Sequence, residues 1–190
     1  CSARHFRVAS SNMRRFTRAL CTTAEDWQLH YRRASRMYRL APVNAEERYH
    51  SRVKVGAGKA IVTAPTKEGY CHAAYALHGS SYFKMLDDAA FFAAQSTHMK
   101  NFVVTTSFTT YITKPIEPKK APFLVATGKV VSASKSLIIA ESVVTTPDGV
   151  ECGRGSGTFM PHPKMQMEML PLYVDDTKYP FTEEDIVLAD

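Results

Sequence analysis

Apolar residues in the first part of the chain recur with the period of a helix. One face carries the side chains at i, i+4, i+7 and i+11, which are Trp27, Tyr31, Ala34 and Tyr38. Thr22 precedes Glu25 by three residues, the spacing of a capping box. Pro42 cannot continue a helix. The pattern therefore predicts an amphipathic helix over residues 24–40 that docks on the rest of the domain.

The other faces of this predicted helix are basic. They carry the arginines Arg32, Arg33, Arg36 and Arg39. We interpret them as a solvated face, in preference to a phosphate or membrane contact, because charged side chains are usually exposed. A second short helix is predicted to begin at Asn44, with Glu47 three residues later.

Beyond Ser51 the period changes to that of strands. Five segments rich in β-branched and aromatic residues are separated by turn residues: 53–64, 101–113, 122–132, 136–146 and 149–160. In the second segment the even positions are apolar, so Thr105 is expected on the opposite, polar face. Ser132–Ser136 and Pro147–Gly149 read as hairpin turns. Short connections between antiparallel neighbours predict a meander.

Residues 73–94, between the first and second of these segments, contain few polar side chains. A helix that is apolar on nearly all sides is a buried helix, and the sheet must then curl around it. The predicted fold is α+β: a curled antiparallel sheet of about five strands wrapped around one long buried helix, with an N-terminal helical arm.

The charge of the chain is unevenly placed. The net charge is +6, and residues 1–54 hold 12 Lys and Arg against 4 acidic residues. The basic character thus belongs to the arm, which argues against a nucleic-acid partner for the domain. The sequence has no charge-free apolar run long enough for an integral membrane segment. Its four scattered cysteines form no metal-binding or dithiol pattern.

Four regions follow from these patterns. Residues 1–23 form a basic arm, 24–52 the N-terminal helices, 53–160 the main domain and 161–190 a C-terminal tail. The arm is rich in Arg and has no acidic residue, a composition typical of a mitochondrial transit segment. A solvated basic tail on a cytoplasmic protein is the equally weighted alternative.

Asp87 is the unusual residue of the predicted buried helix. A carboxylate in apolar surroundings is costly unless it is paired, hydrogen-bonded or functional. Lys84 stands three residues before Asp87, so an ion pair within the helix is one reading, with Asp88 as its exposed neighbour. A functional carboxylate is the other reading.

Several short motifs occur together in one order. They are Gly69-Tyr-Cys-His72, Leu77-His-Gly-Ser80, Leu86-Asp-Asp-Ala89, the strand Val104–Tyr111 closing on Lys114-Pro115, Lys135-Ser136, and Asp148-Gly149 before Gly157-Thr-Phe159. Over residues 53–160 this set resembles the hotdog-fold acyl-CoA thioesterases of the phenylacetate and 4-hydroxybenzoyl-CoA type. Its most specific element is His-Gly followed by an Asp nine residues after the His.

The resemblance implies a role for each matching residue. Asp87 would activate water or attack the thioester, and the backbone amide of Gly79, after His78, would polarise the thioester carbonyl. Thr105 would orient the nucleophile. His72 stands where the family often has an Asn that orients water, which is a departure from the pattern.

The resemblance also implies a binding site for coenzyme A phosphate at the turn that contains Ser134, Lys135 and Ser136. The aromatic residues Tyr82, Phe91 and Phe92 are expected either to line an acyl pocket or to belong to the core.

The predicted activity is hydrolysis of an acyl-CoA thioester to free acid and coenzyme A, with no metal or redox cofactor. Eight residues of helix separate Gly79 from Asp87, or about 12 Å. The site is therefore expected to be shared between subunits of a homodimer or homotetramer. Two alternatives remain: a non-catalytic acyl-CoA-binding hotdog protein, which His72 favours, and a dehydratase or hydratase, whose usual His pattern is missing.

Overall fold

The computed structural model describes residues 22–189. Residues 1–21 lie outside this range, so the transit segment predicted over residues 1–23 stays a prediction. Within the described range, none of the helices has the length and apolar character that a bilayer crossing requires.

Helix α1, Ala24–Leu40, has the predicted bounds. Its capping box lies one residue further along than predicted, because the N-cap is Thr23. The Thr23 hydroxyl accepts from the Asp26 amide, and the Asp26 carboxylate accepts from the Thr23 amide at 2.8 Å. Thr22 and Glu25 have the capping-box spacing, and so do Thr23 and Asp26. The second pair is used because the helix begins at Ala24.

The second helix predicted from Asn44 does not form. Pro42–Asn44 is a single 3-10 turn. The buried Asn44 side chain donates to the Tyr38 carbonyl and accepts from the Ser51 hydroxyl. Asn44 therefore joins the end of α1 to the first strand instead of starting a helix, since Asn side chains compete well for nearby backbone groups.

The sheet has six antiparallel strands, one more than predicted. They are β1 Arg52–Gly56, β2 Lys59–Pro65, β3 Asn101–Ile112, β4 Phe123–Ala133, β5 Ile138–Thr145 and β6 Glu151–Gln166. The extra strand arises because segment 53–64 folds back on itself at Gly58, whose φ is 63°. A left-handed φ of this kind favours glycine.

The strand order is β1-β2-β4-β5-β6-β3. Only β4, β5 and β6 form the predicted meander. β3 pairs with β6 and lies at one edge of the sheet, so the chain between Ile112 and Phe123 crosses to a position beside β2. The connection between β3 and β4 is long enough for this crossing, whereas the short turns β4–β5 and β5–β6 keep their strands adjacent in the sheet.

Helix α2, Gly79–Gln95, begins six residues after the predicted start and contacts all six strands. Leu86, Ala89 and Ala90 are fully buried in the core. The closest approach is to β4, where a Cβ on Gly128 would lie 2.0 Å from the Ala89 carbonyl oxygen. Only glycine permits this contact, which seats the helix directly on the backbone of the sheet.

A β-bulge in β3 makes the observed alternation of its side chains differ from the predicted one. The register with β6 shifts between Thr105 and Ser107, so Thr106 is an additional residue. Thr105 pairs with Phe159, which is fully buried. Directly paired residues share a face, so Thr105 lies on the side of α2 and not on the opposite face.

The chain after β6 forms a strap, residues 167–189, that packs along α1. It contains a 3-10 turn at Met167–Met169 and helix α3, Pro171–Val174. Met167 and Tyr173 are buried in the same core as α1. The Tyr173 hydroxyl donates to Nδ1 of His30 at 2.7 Å. The N-terminal helix, the sheet and the strap thus share one core.

The arginines of α1 hold this strap, and the expectation of a solvated basic face is wrong for Arg36. Arg36 is fully buried and donates to the carbonyl oxygens of Leu172, Tyr173 and Tyr179. It also pairs with Asp176 at 2.7 Å. A buried guanidinium is tolerated because each of these bonds replaces one to water.

Replacing Arg36 tests whether it anchors the strap. We expect Arg36→Met to destabilise the fold by about 3 kcal/mol, since three strap carbonyls lose their donor and Asp176 keeps only its bonds from Arg33. For a chain of this size, that corresponds to a fall of roughly 6–12 °C in the unfolding temperature. Thermal unfolding followed by circular dichroism measures it.

The matched control is Arg154→Met. Arg154 also binds a carboxylate, that of Glu151, but its side chain is 58% exposed. Exposed pairs contribute little, so this variant should unfold at the wild-type temperature. Equal effects of the two substitutions would contradict an anchoring role for Arg36.

Candidate active site

A cavity of about 470 Å³ opens beside Asp87, between α1, α2, the start of β3 and the strap. We call it the Asp87 pocket. Its walls are mainly apolar, and the side chains around it include those of Met37, Phe91, Phe92, Phe102, Leu170 and Leu172. Asp87, Asp88, Thr105, Tyr38 and Asn44 are its polar residues. The volume is within the range of about 300–1,000 Å³ usual for small-molecule sites.

The structure brings together two of the predicted site residues in this pocket. The Thr105 hydroxyl donates a hydrogen bond of 3.0 Å to Oδ1 of Asp87. This contact depends on the bulge at Thr106, which turns Thr105 toward the helix. One Asp87 oxygen is thus oriented by the sheet.

Lys84 pairs with Asp88 and not with Asp87. The i,i+4 spacing places Lys84 and Asp88 on the same face of α2. Asp88 also accepts from the Tyr38 hydroxyl at 2.7 Å. The interpretation of Asp87 as a member of an intrahelical ion pair is therefore wrong, because Lys84 pairs with Asp88 instead.

The surroundings of Asp87 favour its protonated form. Burial, together with the nearby Asp88 charge, raises the pKa of Asp87 to about 6, although the hydrogen bond from Thr105 and the Lys84 charge act in the opposite direction. A carboxylate with a pKa close to neutrality accepts protons more readily than an ordinary one. Asp87 thus has the properties of a general base, in a pocket lined by hydrocarbon.

A second cavity, of about 330 Å³, lies at the N-terminus of α2, and we call it the Gly79 pocket. Gly79, His72, Tyr82 and Ile112 are among its lining residues. Gly79 is the first residue of the helix, and in the described part of the chain no acceptor takes up its amide. Free amides at a helix N-terminus attract developing negative charge.

His78 and His72 have local contacts of their own. His78 is the N-cap of α2, and its Nδ1 accepts from the Ser80 amide at 3.1 Å. His72 is exposed, and its Nδ1 accepts from the Ala74 amide. Capping by the His78 side chain was not anticipated from the sequence.

The turn Ser134–Ser136 lies between β4 and β5, apart from both pockets. Ser134, Lys135 and Ser136 are all exposed. The Ser134 hydroxyl closes the turn by accepting from the Leu137 amide and donating to the Leu137 carbonyl. Lys135 forms no ion pair within residues 22–189.

Sequence reasoning missed the polar network around Asp88 and the leucines of the strap. Phe91 and Phe92 do line the Asp87 pocket, whereas Tyr82 lines the Gly79 pocket. The signal for the strap was charge complementarity between the arginines of α1 and the acidic residues of the tail, Asp175, Asp176, Glu183, Glu184 and Asp185.

No protein-family model matches this sequence, and no curated protein sequence matches it. Solved structures do match this chain. The PaaI protein of E. coli, from the phenylacetic acid degradation operon, matches with a TM-score of 0.64 at 17% identity, over 72% of this chain and 96% of that chain. The chain has the hotdog fold.

Two further structures agree. A thioesterase family protein from Silicibacter pomeroyi matches with a TM-score of 0.61 at 20% identity, over 69% of this chain and 96% of that one. A mutant of the phenylacetic acid degradation protein PaaI from Thermus thermophilus matches with a TM-score of 0.53 at 18% identity, over 59% of this chain and 93% of that one. The predicted hotdog fold is confirmed, and at these identities the likeness concerns the fold alone.

The raised pKa of Asp87 has a consequence for stability. The folded-state pKa of about 6 exceeds the ordinary value of 3.8, so the folded chain binds this proton more tightly than the unfolded chain. Stability is then lost as the pH rises from about 4 to about 6. We expect Asp87→Asn to be about 1–2 kcal/mol more stable than wild type at about pH 7.5, and to lose this advantage at about pH 4.

Urea unfolding at the two pH values measures this difference. Asp88→Asn is the control, because it removes a carboxylate that Lys84 and Tyr38 contact, and it should not be stabilising at either pH. An Asp87→Asn variant whose stability relative to wild type does not change with pH would show that Asp87 titrates normally.

Proposed function

We propose that this protein hydrolyses an acyl-CoA thioester to a free acid and coenzyme A. The observation that carries the proposal is Asp87: a carboxylate with a raised pKa, oriented by Thr105, in the wall of a mainly apolar pocket. The thioesterase name of a structural neighbour agrees with this chemistry.

In the proposed reaction Asp87 accepts a proton from water while the water oxygen bonds to the thioester carbonyl carbon. The carbonyl oxygen becomes an oxyanion, which the Gly79 amide stabilises at the positive end of a helix. Collapse of this intermediate breaks the C–S bond, and coenzyme A leaves as a thiolate that takes up the proton held by Asp87, which regenerates the base. Direct attack by Asp87, through an anhydride, uses the same two groups.

Asp87 and Gly79 of one chain cannot serve the same thioester. They are eight residues apart on one helix, or about 12 Å along its axis. In this chain they also face different cavities. A reacting carbon within about 3 Å of both groups therefore requires the Gly79 of a second copy.

Strand β3 offers a geometry for such a copy. Thr105 of β3 contacts Asp87, and Ile112 approaches Gly79, since a Cβ on Gly79 would lie 3.3 Å from Cδ1 of Ile112. If two β3 strands pair antiparallel about a two-fold axis near Phe108, Ile112 of one copy lies opposite Thr105 of the other. Gly79 of the first copy then approaches Asp87 of the second.

The β3 edge has the properties that such pairing needs. β3 lies at the end of the sheet and is paired on one side only. Exposed apolar side chains cluster on it and on the adjoining part of α2: Tyr111 is 61% exposed, Ile112 50% and Phe83 45%. An unpaired edge with apolar neighbours favours strand-to-strand association. A homodimer, or a tetramer made from it, would bury these exposed apolar side chains.

We assign the remaining substrate contacts by the same reasoning. The exposed turn at residues 134–136 carries Lys135 and the Ser136 hydroxyl, which suit the phosphates of coenzyme A, while Ser134 closes the turn through Leu137. Mitochondrial delivery by the arm before residue 24 is part of the proposal and rests on composition alone.

Substitution of Asp87 tests the chemistry. We expect Asp87→Asn to lower thioester hydrolysis by about 10²–10⁴-fold, because the proton acceptor is lost. Asp88→Asn keeps Asp87 and should retain measurable hydrolysis. Release of free thiol from a panel of acyl-CoAs measures both variants, and wild-type activity should rise with pH through about 6.

Two results would count against this assignment. Activity kept in Asp87→Asn and lost in Asp88→Asn would move the role to the neighbouring residue. Tight acyl-CoA binding by the wild type with no thiol release would favour the non-catalytic alternative.

Mixing two inactive variants tests the shared site. Gly79→Pro removes the amide at the first helical position, where proline is tolerated. A mixed dimer of Gly79→Pro and Asp87→Asn subunits regains one intact site of two, so we expect activity to return on mixing. Gly79→Ala is the matched control for Gly79→Pro, since it adds the same Cβ beside Ile112 but keeps the N–H.

Gly79→Ala should therefore stay active by itself. The readout is thiol release after the two inactive variants are unfolded together and refolded, with mixed dimers identified by a mass tag. Mixed dimers that form and stay inactive would show that each chain completes its own site.

A further inference from the structure

Two leucines of the strap, Leu170 and Leu172, lie in the wall of the Asp87 pocket. We propose that this pocket receives an uncharged hydrocarbon acyl group and that Leu170 and Leu172 set the length of chain that it accepts. The proposal rests on the proposed function and adds a substrate class and two specificity-determining residues to it.

The position of the pocket defines where an acyl group would lie. Asp87 and the Thr105 hydroxyl that binds it lie in the wall of the pocket, and the thioester carbon must react beside them. Phe91, Phe102 and Leu172 line the apolar part. A thioester held beside Asp87 therefore directs its acyl chain along these side chains and toward the strap.

The polar side chains of the pocket are already engaged with each other. Asp88 binds Lys84 and Tyr38, and Asn44 binds the Tyr38 carbonyl and Ser51. A hydroxyl or carboxylate on the occupant would lose its water and find these groups occupied. Such unpaired burial is strongly disfavoured, so the pocket selects hydrocarbon.

The strap wall is held in place by buried anchors. Nε of Arg36 donates to the Leu172 carbonyl at 3.1 Å, and an NH group of Arg36 donates to the Tyr173 carbonyl. The Tyr173 ring is buried, and its hydroxyl binds His30. Because the backbone at Leu172 is fixed from the α1 side, the leucine side chains form a defined boundary.

The volume agrees with a chain of several carbons. A cavity of about 470 Å³ is far larger than an acetyl group requires. Each methylene that enters it leaves water for an apolar wall, which favours longer chains by about fourfold per methylene until the wall is reached. Selection by length then depends on Leu170 and Leu172.

The test compares chain-length profiles. Wild type, Leu172→Trp, Leu172→Ala and the control Leu29→Trp are assayed for thiol release from straight-chain acyl-CoAs, from acetyl to palmitoyl. Leu29 is 40% exposed on α1 and does not line the Asp87 pocket. The same proteins are titrated with S-alkyl-CoA thioethers, which cannot be hydrolysed and report binding alone.

We expect kcat/KM of the wild type to rise with chain length and then level off. Leu172→Trp fills the pocket, so kcat/KM for long-chain substrates should fall at least about tenfold while that for short-chain substrates stays unchanged. The reason is that overpacked hydrocarbon pockets reject added carbons. Leu172→Ala should move the chain length at which kcat/KM levels off to longer chains. Leu29→Trp should reproduce the wild-type profile.

The two assays separate failure of this proposal from failure of the proposed function. Hydrolysis with the same length profile in wild type, Leu172→Trp and Leu172→Ala overturns the strap wall and leaves the hydrolase intact. Length-dependent thioether binding that Leu172→Trp weakens, without thiol release in the wild type, supports the pocket and overturns the hydrolase. If the wild type neither releases thiol nor binds the thioethers, both proposals are overturned.

Discussion

The burial of helix α2 is the constraint on which the rest of this structure depends. The helix is apolar on nearly all sides, and it lies directly on the backbone of β4 because Gly128 has no side chain to keep the Ala89 carbonyl away. All six strands contact the helix, so the sheet must curl. The flank that carries Asp88 and Phe92 is covered by α1, through Tyr38, which contacts both residues.

This burial also explains why two adjacent carboxylates differ in character. Asp88 lies on the face that Lys84 reaches, and it is neutralised by that lysine and by a hydroxyl from α1. Asp87 points toward β3, where its hydrogen-bond donor is the neutral Thr105. Neighbouring groups whose environments separate their pKa values in this way are typical of sites of acid–base chemistry.

The strap links the basic helix α1 to the pocket. Arg36 satisfies carbonyl groups of the strap and so positions Leu172 at the cavity, while Arg39 binds Asp185 near the end of the chain.

Periodicity along the chain was sufficient for the elements that depend on nearby residues. The bounds of α1, the apolar character of α2 and the turns at Ser132–Ser136 and Pro147–Gly149 follow from local spacing, and each was predictable. Asp87 was also a candidate from the sequence, because a carboxylate in an apolar helix needs an explanation and the family resemblance implied one.

Other features depended on contacts between distant parts of the chain. The partner of Lys84, the burial of Arg36 and the edge position of β3 each had more than one arrangement of equal local merit. The side of β3 on which Thr105 lies depended on one bulged residue, Thr106, which reverses the alternation beyond it. Local spacing cannot choose between such arrangements, since their free energies differ only through packing and pairing with residues far away in sequence.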